Sequence, residues 1–456
     1  MNKSFLSKLT EIFDNDTCFT TPEACYAYGF DNSQIHGQPD AVILPKNTKQ
    51  IQKTLELCYE YEIPFTARGR ASGTTGAAVP VKGGVVCTFE HMNRIKKIDL
   101  ENRIAIVEPG VSNAQLQQAI NPKGFFWAPD PSSGAYSTIG GNLACNAAGP
   151  HAVKYGTCRE NTLGLSVVTA SGESMRTGVY TTKGVVGYDF TRLLIGSEGT
   201  LGVITEATLK LLPLPEARAA IRVTYDSVKS ASEAVLNIMK SPTQPCVLEF
   251  IDHNCVNIIR RFNSGMLSDE AGAMLIIEVD GPKVSIESLA ENIKEAAKHP
   301  GLIDLAVAHT DEEAKQLWHV RKTLSPALRT IAPKKINEDV VVPINTIPDF
   351  IMELDELSQE YGISITTFGH AGNGNLHVNL LYDAKDAKQN KNAEPCLEAM
   401  FDLVIKHNGT LSGEHGVGLM KKPYVTKEID PVRLALMKEV KNAFDPKGIL
   451  NPGKVF

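Results

Sequence analysis

The sequence predicts an α+β protein with two main domains, and three observations support this. The chain has 456 residues, whereas a typical domain has roughly 150. Glycine clusters, short strand-like runs and tight turns are concentrated before about residue 215. From residue 217 onward, apolar strand segments such as 274–279 alternate with charged amphipathic helices such as 286–298. That alternation is typical of a sheet covered by helices.

Two Leu-Pro dipeptides mark the boundary between these two parts of the chain. Leu212-Pro213 and Leu214-Pro215 disfavour a helix, because proline restricts the residue before it. We therefore expect one domain over residues 37–215 and a second over residues 216–410.

One further segment is predicted at each end of the chain. Residues 1–36 are expected to be a helical segment, since Phe5, Leu9 and Ile12 recur at helical spacing. The last segment, FDPKGILNPGKVF, contains too many turn residues to fold alone, so we expect residues 411–456 to pack back on the first domain.

Composition and charge narrow the class of protein. Hydrophobic residues make up 43% and charged residues 21%, as in an ordinary soluble globular protein. The net charge is −6, with no basic run, so nucleic acid is not an expected partner. Nine cysteines without a CxxC pair favour reduced thiols in the cytoplasm. The sequence contains no run of ~18 apolar residues, so no membrane span is predicted.

Three glycine-rich segments dominate the first domain. Segment 67–80, ARGRASGTTGAAVP, could let backbone N–H groups approach a pyrophosphate, although a plain surface turn is equally compatible. It has neither the GxGxxG nor the GK[ST] spacing of common nucleotide loops. Segments 130–156 and 187–213 follow, and taken singly their Gly140-Gly141 and Gly199-Thr200 pairs could be β-bulges or turns.

The order of these segments resembles that in flavin-dependent oxidoreductases of the vanillyl-alcohol oxidase type. The runs TIGGNLACNAAGPHAVKYGT, GEHGVGLMKKPY and FDPKGILNPGK are most similar to FAD-linked subunits of bacterial glycolate oxidases and to D-lactate and D-2-hydroxyglutarate dehydrogenases. The resemblance implies a two-subdomain FAD-binding domain over residues 37–215. It also implies an α/β cap domain with an antiparallel sheet, over residues 216–410, that binds substrate.

The resemblance also implies which residues bind FAD. They surround the pyrophosphate, line the flavin, flank the adenosine side or approach from the C-terminus: Arg68, Gly69, Arg70, Ala71, Ser72, Gly73 and Thr74; Pro131, Ser132, Thr138, Gly141, Asn142 and Gly149; Glu198, Gly199, Gly202 and Ile204; and Asn451. Some family members tether the flavin to a histidine in the first loop. No histidine lies between residues 67 and 80, so FAD is expected to be non-covalent.

In the second domain, residues 363–382 predict a strand, a turn and a strand. Alternation on the second strand places His377 and Asn379 on one face, and closure of the turn brings His370 toward His377. Glu414 and His415 follow in a glycine-bracketed loop. Two histidines and a carboxylate form a ligand set typical of catalytic metals. A structural hydrogen-bonded histidine pair and a solvated loop pair remain alternatives at this point.

The resemblance implies the roles of these residues. His370, His377 and Glu414 would bind a divalent metal, which we expect to be zinc, with manganese or iron as alternatives. His415 would be the base, and Arg321 would bind the substrate carboxylate from what looks like a helix start. Ser325, four residues later, could add a hydroxyl contact, and Asn379 would help orient the substrate.

Two departures from the family pattern stand out. Asn373 occupies the position of a usual acidic residue in the histidine turn, and Arg70 and Ala71 stand where glycines are common. The first change removes one negative charge beside the expected metal. It therefore affects the expected metal affinity more than the metal's identity.

We expect an FAD-dependent dehydrogenase that oxidises D-lactate or glycolate to the 2-oxo acid. Alternatives are a D-2-hydroxyglutarate dehydrogenase, a non-catalytic FAD-binding subunit, or an ether-lipid synthase or sugar-lactone oxidase of the same fold. The electron acceptor would be a quinone, a cytochrome or an iron–sulfur partner subunit, since the chain offers no cluster motif. A homodimer or a hetero-oligomer stays open, as does a peripheral location at the inner membrane face.

Overall fold

The computed structural model describes residues 2–262, 267–308 and 310–456. Its strands, in chain order, are Cys18–Phe19 (β1), Ala41–Ile43 (β2), Phe65–Arg68 (β3), Val85–Thr88 (β4), Ile95–Asp99 (β5), Ile104–Val107 (β6), Phe125–Phe126 (β7), Thr162–Val168 (β8), Ser174–Gly178 (β9), Val203–Lys210 (β10), Leu212–Pro213 (β11), Ala217–Tyr225 (β12), Val247–Ile251 (β13), Ala273–Gly281 (β14), Leu302–Ala308 (β15), Lys334–Val341 (β16), Ser364–His370 (β17) and Asn375–Tyr382 (β18).

The α-helices are Lys3–Ile12 (α1), Pro22–Tyr26 (α2), Thr48–Tyr61 (α3), Asn113–Ile120 (α4), Ile139–Cys145 (α5), Ala152–Tyr155 (α6), Phe190–Leu194 (α7), Val228–Lys240 (α8), His253–Phe262 (α9), Ile286–Ala297 (α10), Asp311–Ile331 (α11), Ile347–Tyr361 (α12), Ala387–Lys406 (α13), Val425–Glu428 (α14) and Pro431–Phe444 (α15). Among the described helices, none has the length and apolar composition that crossing a membrane requires.

The chain divides into two units. The first comprises Met1–Gly149, Gly156–Leu214 and Glu414–Phe456, and the second comprises Pro150–Tyr155 and Pro215–Gly413. The first unit contains a four-stranded sheet in the order β1-β2-β4-β3 and a five-stranded sheet in the order β5-β6-β10-β8-β9. The five-stranded sheet is antiparallel throughout. The first unit therefore contains two main sheets, in agreement with the two subdomains expected from the sequence.

The N-terminal helix α1 packs on the four-stranded sheet of the first unit. Asn2 caps α1 by accepting the Ser4 N–H at 2.9 Å. Phe5 and Leu9 are fully buried against the four-stranded sheet and α3, and burying each contributes about 1.5–3 kcal/mol. The helical spacing of these residues therefore predicts the helix correctly.

The second unit contains a seven-stranded antiparallel sheet in the order β15-β12-β14-β13-β17-β18-β16. Helices α9 and α11 pack on the face that carries Ile251, Ile276 and Phe368. The expected strand at 274–279 is β14, and the expected helix at 286–298 is α10. The predicted antiparallel sheet with covering helices is confirmed for this unit.

A short segment of the middle glycine-rich region lies in the second unit, whereas we expected all of residues 37–215 in the first. Lys154 forms an ion pair with Asp280 of β14, and Tyr155 donates to the same carboxylate at 2.8 Å. Gln244 also donates to the Val153 carbonyl at 2.8 Å. These bonds hold residues 150–155 to β14 and to the loop before β13.

The structure excludes one alternative left open by the sequence and corrects one expectation. Gly140 and Gly141 lie in the first turn of α5, which Thr138 caps, and not in a β-bulge. Arg321 lies in the middle of α11, and not at a helix start, because a capping box between Thr310 and Glu313 begins this helix ten residues earlier.

Candidate active site

The glycine-rich segments of the first unit surround a large cleft. It encloses about 1440 Å³, including space open to solvent, which suits a dinucleotide-sized cofactor. Its walls include most of the residues predicted to bind FAD: Arg68, Gly69, Arg70, Ala71, Ser72, Gly73, Thr74, Pro131, Ser132, Thr138, Gly141, Asn142, Glu198, Gly199, Gly202 and Ile204. Glu414 and His415 line the same cleft.

Two predicted residues do not line this cleft. Gly149 packs against the backbone of Asp130, where a Cβ atom would lie 2.3 Å from the carbonyl oxygen. Asn451 is fully buried, and its side-chain amide donates to the carbonyl oxygens of Ala77 and Glu198 at 2.9 and 2.6 Å. Asn451 therefore supports two loops of the cleft from behind.

The cleft walls carry buried polar atoms that fit a polar cofactor. Asp31, Ser137 and Asn142 are each at most 4% exposed. Within the described residues, Asp31 Oδ2, Ser137 Oγ and Asn142 Nδ2 have no hydrogen-bond partner. Buried polar atoms are nearly always bonded, so a hydroxyl or N–H donor of FAD suits Asp31, whereas acceptor oxygens of the cofactor suit Ser137 and Asn142. Sequence reasoning missed Asp31 because it lies in the N-terminal segment, far along the chain from the glycine loops.

Glu198 holds the loop that carries Glu414 and His415. Its carboxylate accepts the backbone N–H groups of Val417 and Gly418 at 2.6 and 2.8 Å. Burial raises the pKa of this carboxyl above its usual value, although these two hydrogen bonds oppose the shift. The family resemblance implied a place for Glu198 on the adenosine side. The structure shows that the Glu198 carboxylate is bonded to the loop.

Acid or heat precipitation should release FAD into the supernatant. The first loop contains no histidine, and His415 is the one histidine among the residues that line the described cleft. Absorbance of the supernatant and of the washed pellet measures the partition. Flavin that stays with the pellet would contradict a non-covalent cofactor. Release of the flavin from the His415→Ala variant, but not from the unaltered protein, would then locate the tether at His415.

In the second unit, the expected hairpin brings two histidines together. β17 and β18 are joined by a turn in which Gly374 has a φ of 73°, and Phe368 pairs with His377 across the hairpin. The rings of His370 and His377 have centroids 5.2 Å apart. Each histidine offers a ring nitrogen within 4.8 Å of the other, and both side chains are buried.

A buried carboxylate joins His370 to Arg321. Glu249 in β13 pairs with His370 in the sheet, and its Oε1 is bonded to His370 Nδ1. Its Oε2 accepts the Arg321 Nε–H at 2.8 Å. Burial alone would raise the pKa of the Glu249 carboxyl, but the charges and hydrogen bonds of His370 and Arg321 hold it below its usual value. Sequence reasoning missed Glu249 entirely.

Arg321 is positioned from two directions. Besides the bond to Glu249, its guanidinium carbon lies 4.1 Å from the centroid of the Phe368 ring, a cation–π distance. The engaged atom is Nε, and a carboxylate ligand would be bound through the terminal nitrogens. The side chain of Ser325, four residues along α11, lies outside the described residues.

Asn379 lies on the same face of β18 as His377 and is fully buried. Its amide Nδ2 donates to the His377 carbonyl at 3.0 Å. Its Oδ1 has no hydrogen-bond partner within the described residues, and a buried acceptor of this kind suits a hydroxyl ligand.

The chain that leads to Glu414 is fixed next to His377. Asp339 pairs with His377 across β16 and β18, and its Oδ2 accepts the Gly413 N–H at 2.9 Å. A Cβ atom at Gly413 would lie 2.2 Å from Nδ2 of Asn375, so this approach requires glycine. Glu414 is the next residue in the chain.

A second group of ligand-type side chains lies elsewhere in the second unit. Donor atoms of His151, Cys246 and Glu278 lie within 4.8 Å of one another. Burial raises the pKa of the Cys246 thiol, which disfavours the thiolate that binds metals. Glu278 already accepts the Trp318 Nε1–H. The histidine pair is therefore the better candidate for a metal site.

Comparisons with known proteins identify the family. Residues 39–178 match the FAD binding domain, and residues 214–455 match the C-terminal domain of FAD linked oxidases. The chain is 40% identical to the glycolate oxidase subunit GlcD of Bacillus subtilis (strain 168), covering 94% of this chain and 92% of the relative. It is 33% identical to a D-lactate dehydrogenase of Anaerostipes hadrus, covering 93% and 91%.

A solved structure of p-cresol methylhydroxylase shares the fold. Its TM-score is 0.80 at 19% identity, covering 99% of this chain and 96% of that chain. This likeness confirms the predicted fold of the vanillyl-alcohol oxidase type. Together with the two matched domains and the cleft formed by the glycine loops, it identifies the chain as a flavin-dependent oxidoreductase that belongs to the family of FAD-linked oxidases.

Proposed function

We propose that this chain is an FAD-dependent dehydrogenase that oxidises a small D-2-hydroxy acid, D-lactate or glycolate, to the 2-oxo acid. The observation that carries the proposal is the group formed by His370, His377 and Arg321. One buried carboxylate, Glu249, is bonded to both His370 and Arg321. A 2-hydroxy acid carries a carboxylate beside a hydroxyl. Arg321 would bind the carboxylate, and the two histidines would bind a metal ion that contacts the hydroxyl.

The metal part of the proposal rests on ligand chemistry. Paired imidazoles suit zinc, and also iron or manganese, when a carboxylate completes the set. We propose that His370 and His377 supply the nitrogens and that Glu414, which follows the anchored Gly413, supplies the oxygen. When bound, such an ion would lower the pKa of the substrate hydroxyl.

The roles of the other residues follow from their chemistry. Arg321 would bind the substrate carboxylate with its terminal nitrogens, and Asn379 Oδ1 would accept a hydrogen bond that orients the substrate. His415, which lines the flavin cleft, would accept the hydroxyl proton as general base. FAD, when bound, supplies the acceptor for the hydride from Cα.

The names of the relatives support this substrate class and also a larger assembly. One relative is named a subunit of glycolate oxidase and another a D-lactate dehydrogenase. We propose that this chain likewise passes its electrons to another component, a quinone, a cytochrome or an iron–sulfur subunit. All nine cysteines are free thiols, which supports a reducing, cytoplasmic location.

Anaerobic mixing of the yellow protein with D- and L-2-hydroxy acids tests the proposal directly. Bleaching of the oxidised flavin spectrum by D-lactate or glycolate is expected, and the L-lactate enantiomer serves as the matched control. A flavin that no hydroxy acid reduces, in a protein with full FAD and metal content, would favour the alternative of a non-catalytic FAD-binding subunit.

Small monocarboxylates should reduce the flavin far better than D-2-hydroxyglutarate. By resemblance, dicarboxylate dehydrogenases carry a lysine where this chain has Asn337, which pairs with Asn379 across β16 and β18. An unpaired buried carboxylate costs several kcal/mol. Specificity constants from anaerobic stopped-flow kinetics measure the preference.

Variants on the same strand sharpen this test. Asn337→Lys should raise the specificity constant for D-2-hydroxyglutarate. Lys335 lies two residues away and shares that face of the strand, so Lys335→Gln shows whether it already binds a distal carboxylate. Equal specificity constants for D-lactate and D-2-hydroxyglutarate in the unaltered protein would contradict the prediction.

A further inference from the structure

Glu249 is an almost completely buried acidic residue beside the histidine pair. It is 1% exposed and lies in the middle of β13, between Ile276 of β14 and His370 of β17. An ionised carboxylate in such surroundings needs charged partners. The structure provides two, because Oε1 is bonded to His370 and Oε2 to Arg321.

The bond to His370 has a consequence for ligand geometry. Because Nδ1 of His370 is bonded to the carboxylate, a metal ion at this histidine would be bound through Nε2. A histidine ligand that donates its other N–H to a carboxylate has a defined tautomer and ring orientation. The bond therefore fixes the tautomer and orientation of the His370 ring even without a bound ion.

The bond to Arg321 acts in the same way on the substrate side. α11 reaches over the sheet, and Arg321 meets Glu249 through Nε while it stacks on Phe368. The side chain is long and flexible, and holding it costs conformational entropy. A fixed acceptor for Nε keeps the guanidinium plane in place and leaves the fork of terminal nitrogens for a carboxylate.

We propose that Glu249 is a positioning residue that orients both the metal ligand His370 and the carboxylate-binding Arg321. One side chain thereby sets the spacing between the ion and the arginine, which must match the distance from hydroxyl to carboxylate in a 2-hydroxy acid. The inference rests on the proposed function, and it adds the residue on which both halves of substrate recognition depend.

Glu249→Gln tests this proposal, because glutamine keeps the shape and removes the charge. Zinc affinity, measured by competition with a chromogenic chelator, should fall about 10–100-fold, the usual effect of losing such a partner. The KM for D-lactate should rise about tenfold, since glutamine offers Arg321 a neutral oxygen or an amide N–H in place of a charge-assisted hydrogen bond. FAD content should stay stoichiometric, because the flavin cleft belongs to the other unit.

Glu278→Gln is the matched control. Glu278 lies on the same face of the neighbouring strand β14, is also buried, and accepts a hydrogen bond from Trp318 of the same helix. Its substitution should leave zinc affinity and KM unchanged. Equal effects of the two substitutions would mean that any buried charge on this face matters, and would overturn the specific role of Glu249.

The outcomes separate this inference from the proposed function. Zinc binding that is tight in the unaltered protein and equally tight in Glu249→Gln overturns the positioning role alone. No metal binding in the unaltered protein overturns the metal part of the proposed function, and the inference with it. Should the glutamine variant fail to fold, Glu249→Asp keeps the charge and shortens the reach. Unchanged zinc affinity in Glu249→Asp would likewise overturn the role.

Discussion

His415→Ala should slow flavin reduction by D-lactate by about 10²–10⁴-fold, the usual contribution of a general base. His415 lines the flavin cleft, and its carbonyl oxygen accepts a hydrogen bond from Thr75 at 3.3 Å. The loop backbone is held by Glu198 through Val417 and Gly418. Removing the imidazole therefore should leave the loop in place.

Anaerobic stopped-flow absorbance gives the rate constant of flavin reduction, and the flavin spectrum and metal analysis give the contents of both cofactors. The variant should keep FAD and metal at the levels of the unaltered protein. His91→Ala, at an exposed position in the same unit, is the control and should have a normal rate. A near-normal rate in His415→Ala would assign the base to another residue.

His377→Ala should lose the metal and lower the rate of flavin reduction by roughly 10³-fold, since a metal ion contributes several kcal/mol to such steps. His377 is buried and its ring lies next to that of His370. The flavin cleft is formed by residues of the other unit, so FAD should remain bound. Chelation of the unaltered protein should have the same effect, and added Zn²⁺ or Mn²⁺ should reverse it.

Elemental analysis together with flavin absorbance distinguishes the loss of each cofactor. Added metal should restore the chelated protein and leave His377→Ala inactive. Cys246→Ser is the control, because the group of His151, Cys246 and Glu278 is the other candidate in the described residues. Metal lost from Cys246→Ser and kept in His377→Ala would move the metal site to that group. Full activity without metal would refute the metal mechanism.

The sequence by itself determined the elements whose signals are local. Helical spacing of Phe5 and Leu9 predicts α1, and alternation after the turn at residues 371–375 predicts the β17–β18 hairpin and the approach of His370 to His377. The glycine segments and the resemblance they carry predict most of the cleft walls. Such features depend on residues that are close in the chain, where the periods of helix and strand decide which side chains meet.

Only the tertiary structure decided which distant segments share a surface. Glu249 meets His370 because β13 and β17 are neighbours in a sheet whose strand order does not follow the chain. Asp31 lines the cleft, and residues 150–155 belong to the second unit. Both placements depend on contacts between residues that are far apart in the sequence. Asn451 supports two loops of the cleft for the same reason. Alternation assigns a residue to a face of its strand, but the neighbouring strand is set by packing of the whole sheet.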